Sequence, residues 1–140
     1  MAYKVMPVYN TNAPVGQGEP NMPDDVRLVQ KFLVTLAQVS HNRSWIPATP
    51  LLVDGCYSPN LREWILAFQR AANSANPGAL KEDGKVHPMR MATATDWSAK
   101  FGSGRWSTMY AMNTMLRQMS SSSHDNLGAE LGISEVRMAS

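Results

Sequence analysis

Cysteine is nearly absent from this chain, and Cys56 stands alone. One thiol cannot close an intramolecular disulfide, and without a second cysteine the Cys-rich zinc spacings are excluded. No apolar run is long enough to cross a bilayer, so no membrane span is expected. The N-terminal stretch MAYKVMPVYNTNAP carries one lysine but no continuous h-region, which argues against an ordinary secretory signal. Synthesis in the cytoplasm without a signal peptide is the expectation. Charge of either sign is sparse: 13 basic and 11 acidic residues leave a net charge of +2. The basic residues are scattered among carboxylates, so a nucleic-acid partner is not indicated.

The residue types that carry chemistry are thinly spread too. His41, His87 and His124 lie far apart, with no spacing of the kind structural zinc sites use. There is no Gly-x-Ser-x-Gly elbow and no Gly-rich phosphate loop. Nothing near Cys56 is arranged to make it a nucleophile, and it reads as a small buried hydrophobe beside a turn. No catalytic residue, metal or cofactor is therefore expected. What the chain does have is a 44% apolar share against 17% charged residues over 140 positions, the composition of one folded domain.

The stretch Leu51 to Ala72, LLVDGCYSPNLREWILAFQRAA, organises the rest. Leu51, Leu52 and Val53 run into Asp54-Gly55, a pair suited to a tight turn because glycine tolerates positive φ. Ser58 before Pro59 is a double helix-start signal, an N-cap hydroxyl followed by proline at the first helical position. Leu61, Trp64, Ile65 and Phe68 then recur at steps of three and four, giving one apolar face, while Asn60, Arg62, Glu63, Gln69 and Arg70 mostly fall elsewhere. This is the expected central helix. The turn and its cap occur twice: Asp54-Gly55-Cys56-Tyr57-Ser58-Pro59 is echoed by Asp83-Gly84-Lys85-Val86-His87-Pro88, which suggests an internal duplication.

On either side, the pattern is simpler. Residues 1–22, with three prolines and two glycines, read as an extended arm, in which Ala2-Tyr3-Lys4-Val5 has the alternation of a strand. Pro23-Asp24-Asp25 opens a first helix, buried through Val26, Val29, Phe32, Leu33 and Leu36 and ending near Ser40. Residues 41–50 form a loop bounded by Pro47 and Pro50, with Trp45 and Ile46 folded back as a lid on the core. Trp97 and Phe101 could make a short helical turn. Met109, Met112, Leu116 and Met119 give a last helical face, with Tyr110 and Met115 beside it; so many methionines also suit an adaptable partner surface. Ser120–Ser123 reads as a spacer, and the tail after it as flexible or marginally helical around Ala129 to Arg137.

The expected fold is mostly α: helices over 24–39, 58–72 and 105–119, packed through Phe32, Leu36, Trp64, Ile65, Phe68, Met112 and Leu116. The arm (1–22) and the tail (120–140) flank a domain over 23–119, and their weak apolar periodicity predicts that another chain orders them.

Val29-Gln30-x-x-Leu33, Val53-Asp54-Gly55-x-Tyr57, Ile65-x-x-Phe68-Gln69-Arg70 and Glu82-Asp83-Gly84-x-Val86 together resemble the peptidoglycan-binding domain family, over about residues 24–88. Ser58 and His87 stand where that family often has glycine. The resemblance implies a small three-helix module with two related halves, non-catalytic, with peptidoglycan or muropeptide as partner. Its candidate ligand-binding residues are Asp54, Tyr57, Asn60, Arg62 and Arg70, at the turn edges and along the first part of the central helix. The alternative is a structural assembly subunit of a phage particle or contractile injection machine reusing the fold, with itself or other particle subunits as partners. The arm, the methionine-rich C-terminal half and the missing signal peptide favour that second class.

Overall fold

The structure, a computed structural model, describes residues 9–89 and 107–131. It is a small, mostly helical domain: α1 Pro23–Val39, α2 Pro59–Ala75, α3 Thr108–Met119, and two single-turn helices, α4 Ser121–Asp125 and α5 Leu127–Leu131. The described residues hold no strand, only one antiparallel bridge between Val15 and Val86.

Local sequence explains where the helices begin and end. Ser58 accepts the Leu61 N–H at 3.2 Å and Pro59 takes the first helical position, as the Ser-Pro pair predicts. Ser107 caps α3 in the same way through the Tyr110 N–H at 3.0 Å. α1 starts instead on Pro23 without a side-chain cap at Met22. It ends where Ser40 Oγ and Arg43 Nη1 donate to the carbonyls of Leu36 and Ala37, each at 2.7 Å. Those bonds occupy acceptors that the last turn of a helix leaves free.

All seven residues expected to pack the helices together are buried: Phe32, Leu36, Trp64, Ile65, Phe68, Met112 and Leu116. The hub differs from the expected one. α1, not α2, is the helix that packs against most of the others, touching α2, α3 and α5. α2 spends much of its apolar face on irregular chain. Trp45 folds back from the 41–50 loop and meets Trp64 and Phe68 edge-on, at centroid separations of 6.3 and 6.2 Å, and so forms the expected lid. Trp64 Nε1 then donates to Thr49 O at 2.8 Å, holding the loop down by its polar end.

The arm and the tail also differ from expectation, because the described part of each is fastened to its own chain. Tyr9 and Val15 are core residues. The buried Asp25 carboxylate accepts the backbone N–H groups of Asn12 at 2.9 Å and Ala13 at 3.0 Å, pinning the arm to the start of α1. Val15 and Val86 exchange backbone bonds at 2.9 and 2.8 Å, and Asn10 does the same for Met89 through its side chain. In the tail, His124, Leu127 and Leu131 are buried, and α4 and α5 cover α3 and α1. The anchors are mostly side-chain amides and carboxylates gripping backbone, a signal that apolar periodicity does not carry. The expected strand at residues 2–5, the helical turn at Trp97 and Phe101, and the tail helix beyond residue 131 lie outside the described residues.

Candidate functional site

The two Asp-Gly turns are built alike, and each is held by a buried glutamine. At the first, Gln30 Oε1 accepts from the N–H groups of Asp54 and Gly55 at 3.0 and 2.9 Å, while its Nε2 donates to Asp54 Oδ1 and Cys56 O at 2.9 and 3.1 Å. At the second, Gln69 Oε1 accepts from Gly84 N–H at 2.9 Å, and its Nε2 donates towards Asp83 Oδ1 and Lys85 O at 3.2 and 3.0 Å. Thr108 Oγ1, at 3.1 Å, ties α3 to the second clamp. The same atoms do the same work in both halves. The spacers differ, since Gln30 reaches 24 residues ahead to Asp54 and Gln69 only 14 to Asp83.

Glycine is required at the centre of both turns. Gly55 has φ +77° and Gly84 φ +68°, in the left-handed region. A Cβ on Gly84 would also stand 3.1 Å from Arg62 Cγ, and one on Gly55 would stand 3.2 Å from the Pro23 carbonyl oxygen. The second turn therefore rests directly on the α2 surface beside Arg62. That contact brings the C-terminal half of the repeat to residues that follow the first turn.

Tyr57 lies at this seam. Its side chain is half-buried, yet its hydroxyl is shut off from water and has no hydrogen-bond partner. Burial raises the phenol pKa, and the Arg62 and Lys85 charges act on it in the opposite sense. Lys85 Nζ is itself held at 2.9 Å from Glu19 Oε2, so the arm joins the same surface. Arg62 keeps 42% of its side chain exposed and makes a loose 3.7 Å ion-pair contact with Glu63. A lone buried hydroxyl costs on the order of 1–3 kcal/mol.

The other expected site residues are placed differently. Asp54 serves its own turn, accepting from Cys56 N–H and Gln30 Nε2, both at 2.9 Å, and those bonds lower its carboxyl pKa. Asn60 Nδ2 donates to Pro50 O at 2.9 Å and so anchors the loop. Arg70 stands two helical turns beyond Arg62, about 12 Å along the axis, facing Glu82 at 3.7 Å. Of the five, only Tyr57 and Arg62 share the seam. Lys85 and Glu19 belong there too and were not expected; the second Asp-Gly turn was the available clue to Lys85. Cys56 is exposed, not buried: the Asp54 carboxylate fixes its backbone N–H, and its thiol lies 3.8 Å from the Asp54 carbonyl oxygen on the surface of the turn.

A second surface lies near the C-terminal ends of α1, α2 and α3. An open apolar cavity of about 270 Å³ is lined by Leu36, Trp45, Phe68, Met115 and Met119, with Ser40, His41 and Asn42 at its polar side. Met119 is among the few large apolar side chains left exposed in the described residues. No group of three His, Cys, Asp or Glu side chains among the described residues could hold a metal ion. None of the helices described is long and apolar enough to cross a membrane. Comparison with known protein families, curated proteins and solved structures finds no match to this chain.

Proposed function

We propose that this domain is a non-catalytic peptidoglycan-binding module, and that it takes muropeptide at the seam between its two turn-bearing halves. The observation that carries this reading is the Tyr57 hydroxyl, enclosed without a partner and acted on by Arg62 and Lys85. A muropeptide that parts the seam brings hydroxyls and amide carbonyls to pair with the enclosed phenol, and carboxylates to meet the exposed Arg62. The duplicated, glutamine-clamped turns support the reading by matching the two-half design that the sequence resemblance implies. Tyrosine and arginine are also the side chains that most often anchor interfaces.

The test is co-sedimentation with purified sacculi at low salt. Wild-type protein pellets with the wall, and the Tyr57→Ala, Arg62→Ala double variant stays in the supernatant with its helical circular dichroism intact. Raising the salt weakens the Arg62 contribution and spares the Tyr57 one. Failure of folded wild-type protein to pellet at low salt refutes the proposal.

A second reading, an assembly subunit, rests on the open cavity lined by Trp45, Phe68, Met115 and Met119. Methionine at a cavity mouth gives a surface that adapts to a partner. A stable oligomer on size-exclusion chromatography that the Met119→Glu variant disperses supports this class over wall binding.

A further inference from the structure

α4 and α5 are held against the domain by a histidine with no access to water. His124 is fully buried, its ring centroid 5.2 Å from that of Tyr9 and 6.2 Å from that of Phe32. Asn113 orients it. The Asn113 amide nitrogen donates to the carbonyls of Tyr9 and Met109, both at 2.8 Å, so Oδ1 is the acceptor and receives the Tyr9 N–H at 3.0 Å. His124 Nε2 lies 2.8 Å from that same oxygen, and the network assigns the proton to Nε2. Nδ1 is then the bare nitrogen, 3.5 Å from the Asp125 carboxylate.

The same helices are fastened at two further points. Tyr9 Oη donates to Asp125 O at 3.0 Å and accepts the Gly128 N–H at 3.1 Å, and Arg27 Nη2 donates to Leu131 O at 2.6 Å. The charges that act on the ring are Asp125, from α4 itself, and Arg117, from α3; α1 presents the Phe32 ring and the arm presents the Tyr9 phenol. Asp125 favours a proton on the imidazole and Arg117 opposes it. Burial outweighs both and holds the His124 pKa down to about 4.

We propose that α4–α5 is an acid-released latch: a proton arriving at His124 Nδ1 favours a state in which residues 120–131 leave α1 and α3 and the ring reaches water. The rest of the fold keeps its own fastenings: the Val15–Val86 bridge, the Asp25 hold on the arm and both glutamine clamps are made between residues outside 120–131. Release uncovers Phe32 and the apolar flank of α1 and α3. In the released state the imidazole titrates near its ordinary 6.5, so that state binds more protons between pH 6.5 and about 4. The latch is fully stable above 6.5 and weakens as the pH falls through that window. Between pH 7.5 and pH 5 the ratio of released to latched molecules rises by up to about 30-fold.

Hydrogen exchange on the full chain at pH 7.5 and pH 5, corrected for intrinsic rates, reads this ratio. Amides in 120–131 lose up to about 30-fold in protection at the lower pH, while those of α2 hold theirs. The His124→Gln variant, whose amide nitrogen still donates to Asn113 but does not titrate, loses the pH response. Equal protection of 120–131 at both pH values, a parallel loss in α2, or an undiminished response in His124→Gln overturns the proposal. An NMR titration of the wild-type imidazole decides independently of how the variant folds: a midpoint near 4 supports the latch and one near 6.5 refutes it.

Discussion

Gln69→Ala tests whether a single amide holds the second turn. Gln69 is fully buried, and its side chain supplies the partner for Gly84 N–H at 2.9 Å and a donor for Lys85 O at 3.0 Å. Truncation leaves both backbone groups unpaired next to a void. Each orphaned group costs on the order of 1–3 kcal/mol, and with partial rescue by water the expected loss is about 3 kcal/mol. For a chain of this size that lowers Tm by about 10 °C. Urea unfolding followed by circular dichroism gives the same quantity from the midpoint at unchanged slope. Gln69→Glu separates the roles of the two ends of the amide. The new carboxylate still accepts from Gly84 but sets an acceptor against Asp83 Oδ1, where the amide nitrogen now sits at 3.2 Å. Burial and the Asp83 charge raise its folded pKa above the ordinary glutamate value, so the folded variant binds a proton more readily than the unfolded chain. Its stability is therefore best at low pH and falls as the pH rises through the raised pKa. A loss below about 1 kcal/mol for Gln69→Ala, well under the cost of one orphaned pair, would refute the clamp.

Other substitutions probe the core and the caps. Phe68→Ala removes a buried ring beneath Trp45 and beside the open cavity; it should cost about 3–5 kcal/mol in thermal unfolding and alter Trp fluorescence. Ser58→Ala deletes the α2 cap and should cost about 1 kcal/mol, whereas Met22→Ser gives α1 the cap it lacks and should gain up to about 1 kcal/mol, both read from urea midpoints.

The parts of the fold legible in the sequence are those that local rules govern. Ser58-Pro59 starts α2, the Asp-Gly pairs make the turns, and stripes at steps of three and four mark the faces that bury Phe32, Phe68 and Met112. Buried polar residues broke the reading. Gln69 falls off the apolar stripe of α2 and reads as solvated, yet it is closed in because its amide satisfies the turn beside it. Gln30 and Asn113 conceal themselves in the same way, and His124 does so through the Asn113 amide. Polar patterning reports an average preference for water, and it cannot register a backbone group from a distant loop arriving to pair with the side chain. The seam was half legible for a related reason. Tyr57 and Arg62 sit on one local motif, but Lys85 joins them only because the Gly84 backbone fits against the α2 surface.

The bond from Gly128 N–H to the Tyr9 hydroxyl joins residues 119 positions apart and sets a clock on folding. At roughly 5–20 residues per second of synthesis, Tyr9 waits on the order of 10 s before its partner exists. Throughout that time α1, finished early, carries Phe32 with neither Tyr9 nor His124 in its native place. Closure of the ring formed by Tyr9, Asn113 and His124 has to wait for the C-terminal part of the chain, and it draws a long loop shut. If these contacts form after the folding transition state, weakening them accelerates unfolding and leaves the folding rate nearly untouched, an outcome that the two arms of a chevron plot for Asn113→Ala read directly.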